Sequence, residues 1–422
     1  MLKICVAVTI SLSAFFSADA ASRDGLTFKA GVGYDYLSQK YFVDSFNVSG
    51  PDSLLTRWEL TSEYLNDFKA RLDLTFRKSG ASSLELRSLY EQTHHLIKLK
   101  LNSDWRKETA FGDLRWRSQF DWRDQYSSNG NDLGSYLSGS TVGRIRKPLG
   151  NSSKLVAQLQ ADITDFYGET NSGYDHYRIG GKAGIDQEFG LLTIASVYGF
   201  FMTRQVVDSQ TLDYGSYGLE GSFSSSTDRL DIDLLSRWEA KDYNRPDGES
   251  DYSRFEADLL GRWAFSQRFF SRQRVELEVT GYDPADLLNN DYRRFGVTLL
   301  GGFRIGCFEL GMGPDFELLR ESTEDTSFAE DYIETAALAD FSCLSAQGFF
   351  ASMESRLGYR QLEYPNQYQS DFVFYELMLI ADLTIQKRVN LNLLLSTDWE
   401  WHDDSSLDNR VVLLSSVFAY TF

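Results

Sequence analysis

Residues 229–263 read RLDIDLLSRWEAKDYNRPDGESDYSRFEADLLGRW. On the first arm Leu230, Ile232, Leu234 and Trp238 alternate with Asp231, Asp233, Arg237 and Glu239. Alternation of this kind means an extended strand with two unlike faces. Between the arms sits Arg245-Pro246-Asp247-Gly248, where proline presets one turn position and Asp and Gly suit the later ones. Folding the chain between Pro246 and Asp247 places Trp238 opposite Phe255, Leu234 opposite Leu259, and Leu230 opposite Trp263. On the other face it places Arg237 opposite Glu256, Glu239 opposite Arg254, and Asp231 opposite Arg262. One register therefore yields a purely apolar face and a face of opposite charges. A slip by one residue would exchange the two faces.

The same period of two runs outward from this hairpin. LTFKAGVGYDY (26–36) sets Leu26, Phe28, Val32 and Tyr34 against polar or small neighbours. FKARLDLTF (68–76) sets Phe68, Leu72, Leu74 and Phe76 against Lys69, Arg71, Asp73 and Thr75. FGDLRWRSQFDW (111–122) sets Leu114, Trp116, Phe120 and Trp122 against Asp113, Arg115, Arg117 and Asp121. The last strand, VVLLSSVFAYTF (411–422), ends on an aromatic run, so its edge needs a partner or a cover. A soluble sandwich also alternates, with one face buried and one wet. Here the strands are long, the polar face is densely charged, and the apolar face ends repeatedly in Trp or Tyr. That combination describes an all-β fold, a closed antiparallel transmembrane barrel with apolar side chains outside and a polar lumen inside.

The first twenty residues, MLKICVAVTISLSAFFSADA, have a basic start, an apolar run and a small-x-small end, and read as a secretory signal peptide cleaved after Ala20. Residues 21–422 then form one barrel domain. Beyond the signal no apolar run reaches the length of a membrane helix. The formal net charge of -19 speaks against a nucleic-acid partner.

Connections alternate in length when counted back from the C-terminus. Short ones fall near 386–389, 343–348, 304–307, 265–269, 224–229 and 188–190. Long ones fall near 402–409, 361–371, 320–331, 282–291, 242–251, 204–214, 166–175 and 123–135. Short periplasmic turns and long outer loops produce this alternation, and both chain ends on the periplasmic side require an even strand count. The expected number is 20, with 18 and 22 open. Before residue 108 the reading weakens: a turn at Leu65–Asp67 is inferred from length alone, and SLELRSLYEQTHHLIKLKLN (83–102) reads either as one bulged strand or as a hairpin.

With these features the chain resembles bacterial outer-membrane β-barrel proteins as a class. The one motif behind the resemblance is the ending Tyr420-Thr421-Phe422, an aromatic-x-Phe terminus. The resemblance implies that Phe422 is read by the barrel-assembly machinery and that the outer face meets membrane lipid and lipopolysaccharide.

Alternation assigns Arg71, Asp113, Arg115, Arg117, Asp231 and Arg237 to the lumen. Glu239, Arg254, Glu256, Arg262, Arg272 and Arg274 join them. Trp116, Trp122, Trp238, Trp263, Tyr420 and Phe422 are assigned to the membrane girdle. Acidic loops at 321–331 and 403–408 read first as a solvated rim at the level of the lipopolysaccharide; the functional alternative is a rim that disfavours anions and favours cations. Neither the four histidines (His94, His95, His176, His402) nor any Ser or Cys shows catalytic or metal-ligand spacing, and no cofactor is expected. Cys307 falls on the inward phase and Cys343 on the outward phase, which argues against a disulfide unless a bulge intervenes. The expected function is a porin-like channel for passive diffusion of small hydrophilic solutes or ions. The alternative is a non-conducting barrel that docks a surface polysaccharide or serves an export complex; an enzyme is the least favoured reading.

Overall fold

The computed structural model describes residues 25–45, 57–94, 96–125, 135–166, 175–207, 210–244, 250–283, 290–322, 331–345, 349–365, 370–386, 389–403 and 407–421. The proposed signal peptide, the Arg245–Gly248 turn and Phe422 lie outside them.

Twenty strands follow one another. They are β1 (Gly25–Ser45), β2 (Arg57–Lys78), β3 (Ser82–Gln92), β4 (Leu96–Thr109), β5 (Gly112–Gln125), β6 (Tyr136–Pro148), β7 (Ser153–Phe166), β8 (His176–Glu188), β9 (Thr193–Val206) and β10 (Tyr214–Ser226). Then come β11 (Leu230–Tyr243), β12 (Asp251–Ala264), β13 (Phe269–Asp283), β14 (Asp291–Ile305), β15 (Phe308–Ser322), β16 (Tyr332–Leu344), β17 (Phe349–Leu362), β18 (Phe372–Gln386), β19 (Val389–His402) and β20 (Asn409–Thr421). Each strand pairs antiparallel with its sequence neighbours, and β1 pairs with β20. The sheet is therefore a ring. Closure sets Ala30 against Tyr420 and Val32 against Phe418, so the aromatic last strand has no free edge. Only such a ring, or a helix, satisfies every backbone polar group inside hydrocarbon. No helix of the described residues is long and apolar enough to cross a membrane.

The hairpin of β11 and β12 adopts the register expected from its sequence: Leu230 pairs with Trp263, Leu234 with Leu259, Trp238 with Phe255, and Arg237 with Glu256. The outward face is exposed and apolar around the ring, as at Leu72, Leu159, Phe201, Leu259, Phe295 and Leu357.

Two readings need correction. No turn exists at Leu65–Asp67; β2 passes straight through it, paired with β1 from Gly25↔Arg77 to Ser45↔Arg57. The length that suggested a turn comes from a hairpin of overlong strands, since β3 pairs with β2 only as far as Ala70↔Gln92. The open choice at 83–102 resolves as a hairpin, with Thr93 accepting the Leu96 N–H at 3.0 Å. The second correction concerns the cysteines. Cys307 and Cys343 form a disulfide with their Cα atoms 4.9 Å apart. Alternation fails because Cys307 belongs to the turn between β14 and β15, where Gly306 has φ 61 and resets the chain direction. Gly306 tolerates that left-handed backbone without a Cβ clash. Cys343 pairs with Phe308, the residue after the turn, which brings the two sulfurs together. With residues 1–20 removed, these are the remaining cysteines. Maleimide is expected to label neither until a reductant is added; labelling of the untreated protein would show that the clip is absent.

Candidate functional site: the charged inner wall

The pairing registers settle which side chains share a face, because cross-strand partners point the same way. On the inner face lie Arg71 opposite Glu91, Asp113 opposite Arg146, and Arg115 opposite Arg144. Arg117 lies there opposite Asp104. Asp231 opposite Arg262, Glu239 opposite Arg254, Glu256 opposite Glu278, and Arg262 opposite Arg272 continue it, and Arg274 faces Thr298. The outer face carries Trp116, Trp238, Trp263 and Tyr420, all exposed, and Trp122 opposite Leu99.

Register puts the charges on one face without deciding which partner each takes. Arg237 bonds along its own strand to Glu239 at 2.9 Å rather than across to Glu256. Arg254 bridges Glu256 at 2.5 Å and Glu278 at 2.6 Å. Arg262 reaches from β12 over two strands to Glu309 on β15 at 2.9 Å, where Arg304 also bonds. Arg272 reaches from β13 to Asp340 on β16. It crosses over Gly311, where a β-carbon would fall on the Asp340 carboxylate and the Arg272 guanidinium. Glycine at 311 is thus the gap that lets one long side chain tie non-adjacent strands.

Two knots stand out. On β4 and β5, Asp104 is shared by Arg106 at 3.1 Å, Arg117 at 3.5 Å and Arg115. On β15 to β18 the composition inverts: Arg356 is held by Asp315 at 2.6 Å, by Glu376 at 3.5 Å and by Glu334. Arg360 closes on Glu334 at 2.7 Å. A recess of about 480 Å³ opens beside this second knot, lined by Asp233, Arg262, Arg274, Asp340 and Arg356 among others. A larger hollow of about 930 Å³ lies on the lipid side, over Gly143, Gly181 and Gly199 between Trp105, Trp116 and Trp238. Its exposed wall is almost entirely apolar.

At the long-loop end a feature escaped the sequence reading. Asp175, Asp213, Asp371 and Asp408 each stand just before a strand, and Asp251 and Asp291 each open one. Each accepts the backbone N–H at the end of the preceding strand, at 2.6 to 2.9 Å. Asp331 does the same for Glu321 at 2.5 Å. The next residue, inward, is often aromatic: Tyr214, Tyr252, Tyr292, Tyr332 and Phe372. The Tyr214 and Tyr243 rings meet at 5.8 Å, and Lys241 lies 3.9 Å from the Tyr214 centroid. The signal was available as an Asp followed by an aromatic, recurring about every 40 residues. Asp331, counted in sequence as part of an acidic rim, is buried and closes a hairpin. Among the described residues no group of His, Cys, Asp and Glu could hold a metal ion.

A closed antiparallel ring with an apolar outer face and an ionic inner one is the fold of bacterial outer-membrane barrels. Solved structures bear this out at the level of fold. The FrpB iron transporter from Neisseria meningitidis (F3-3 variant) is similar with TM-score 0.58 at 10% identity, over 97% of this chain and 83% of that one. Its F5-1 variant in apoprotein form gives TM-score 0.57 at 10% identity, over 95% and 82%. Pseudomonas aeruginosa OpdL gives 0.46 at 11% identity, over 95% and 99%. No family model matches the sequence, and no curated protein matches it.

Proposed function

We propose that the chain is a porin-like channel of the bacterial outer membrane through which small hydrophilic solutes or ions diffuse passively. The observation behind this reading is the wetness of the inner face. Charged side chains there remain substantially exposed although a full ring of strands surrounds them: 43% for Arg237 and 47% for Arg274. Exposed guanidiniums inside a ring need water, since an unsolvated charge in that position would be prohibitively costly. A barrel of this strand number is wide enough for an aqueous lumen. In the same reading the short turns face the periplasm, the signal peptide is removed after Ala20, and the Tyr420-Thr421-Phe422 ending engages the assembly machinery.

Purified protein reconstituted in a planar bilayer is expected to give discrete, ohmic conductance steps without added ligand. A barrel that inserts, shown by heat-dependent mobility on gels, yet passes no current would overturn the channel reading and favour a docking or export component.

A further inference from the structure

We propose that the hollow on the lipid side seats one anionic phospholipid, its phosphate held by lysines at the short-turn end of the barrel and an acyl chain laid along a floor of small side chains. The inference goes beyond the channel reading and holds whether or not the lumen conducts.

Two neighbouring rungs of the outer face build the hollow. The rung nearer the long loops is its wall: Trp116, Leu159, Phe201 and Tyr217, spaced by Gly143 and Gly181. The next rung is its floor, running from Lys107 through Ile145, Ala157, Ala183 and Gly199 to Trp238. A β-carbon at Gly199 would meet nothing within 4 Å, so the floor there is open. The floor also climbs. Lys107 stands two residues from the end of β4, Ala183 five from the end of β8, and Trp238 eight beyond the start of β11. Because barrel strands tilt, the groove starts at the short-turn edge and ends near the middle of the apolar band. From Lys107 to Gly199 is five strand spacings, roughly 24 Å. That run is close to the depth of one leaflet with its headgroups, about 20 to 22 Å, and so suits a single lipid.

Charge decides the headgroup. Among the described strand residues within three positions of a short turn, the outward-facing charges are Lys78, Lys107 and Lys147, all positive. They stand on β2, β4 and β6, gathered at the foot of the groove rather than spread around the ring. None of the three is in an ion pair among the described residues. Their aliphatic stems extend the apolar surface while each ammonium reaches the headgroup level. Each such lysine is worth about fivefold in affinity for anionic lipid. At the opposite end β6 to β10 present no outward Lys or Arg among the described residues. A phosphate in that leaflet would find no counter-charge beside the hollow, which places the lipid in the leaflet of the short turns.

Native mass spectrometry of the detergent-solubilised protein tests this, titrated with dioleoylphosphatidylglycerol or dioleoylphosphatidylcholine, which share their chains. The unmodified protein is expected to hold one phosphatidylglycerol roughly tenfold more tightly than phosphatidylcholine. Lys107→Gln with Lys147→Gln should bring that ratio near one and leave phosphatidylcholine binding unchanged. Gly199→Leu puts a side chain on the open floor and should weaken both lipids alike, with the ratio kept. Equal binding of the two lipids by the unmodified protein overturns the anionic headgroup. A Gly199→Leu variant that binds like the parent removes the lipid from the hollow. Lipid A outcompeting phosphatidylglycerol, or paired protomers in place of bound lipid, would give the hollow to another occupant. If a variant fails to assemble, the ratio on the unmodified protein decides. Planar-bilayer conductance is expected to stay at the parent value in both variants; absence of current in the unmodified protein bears on the channel reading alone.

Discussion

Replacing Leu234 by Arg should cost the folded barrel about 2 to 4 kcal/mol, whereas the same change at Leu235 should fall within about 0.5 kcal/mol of neutral. The two residues are adjacent in β11, and Leu235 is the more exposed, at 58% against 37%. Judged by exposure alone, both positions would accept a charge, Leu235 somewhat more readily. The ring changes what the exposure means. Leu234 pairs with Leu259 and with Phe223, on the outer face. It lies midway between the rungs Leu230–Trp263 and Trp238–Phe255, which puts it at the middle of the apolar band. Leu235 pairs with Asp258 and Ser222, facing the lumen. An arginine there meets water and a carboxylate. The measurement is the urea midpoint for folding into phosphatidylcholine vesicles. Equal costs at the two positions would mean that lipid does not lie on the Leu234 face.

That contrast rests on information local enough to be legible in the sequence. Alternation assigns faces, and the β11–β12 register follows from six pairs that agree with one another. Alternating loop length yields the strand count because each turn is short or long for a local reason. What failed did so where a local rule stopped applying. At Leu65–Asp67, overlong β1 and β2 keep one phase where a turn was inferred. At Cys307, one turn glycine broke a parity argument that had treated the residue as part of a strand. Ion-pair partners were not legible for a different reason. Arginine is long enough to reach over two strands, so Arg262 and Arg272 choose carboxylates by reach and by the gap at Gly311. Register along one hairpin contains nothing about β15 or β16.

Glu334→Gln is expected to destabilise the barrel by about 3 kcal/mol, although the substitution is nearly isosteric and the lumen is wet. Most carboxylates on the inner wall remain hydrated, and removing one of those should cost less than about 1 kcal/mol. Glu334 differs because its side chain is only 1% exposed, wedged between Arg356 and Arg360. Its Oε2 accepts from Arg360 Nε at 2.7 Å while Oε1 accepts from Arg356. Without the charge, Arg360 loses its carboxylate on the paired strand, and Phe372 and Tyr332 flank its guanidinium. Arg356 keeps Asp315 and Glu376, so the loss falls mainly on Arg360. Removing that cation as well, in Glu334→Gln with Arg360→Gln, should therefore return part of the stability, since no charge is then left unpaired. Glu239→Gln serves as the comparison, because the Glu239 side chain is 18% exposed where that of Glu334 is 1%. Urea titration of the three variants in vesicles decides the matter. If Glu239→Gln and Glu334→Gln cost the same, water reaches Glu334 freely and the knot on β16 and β17 adds nothing that an ordinary wet ion pair would not.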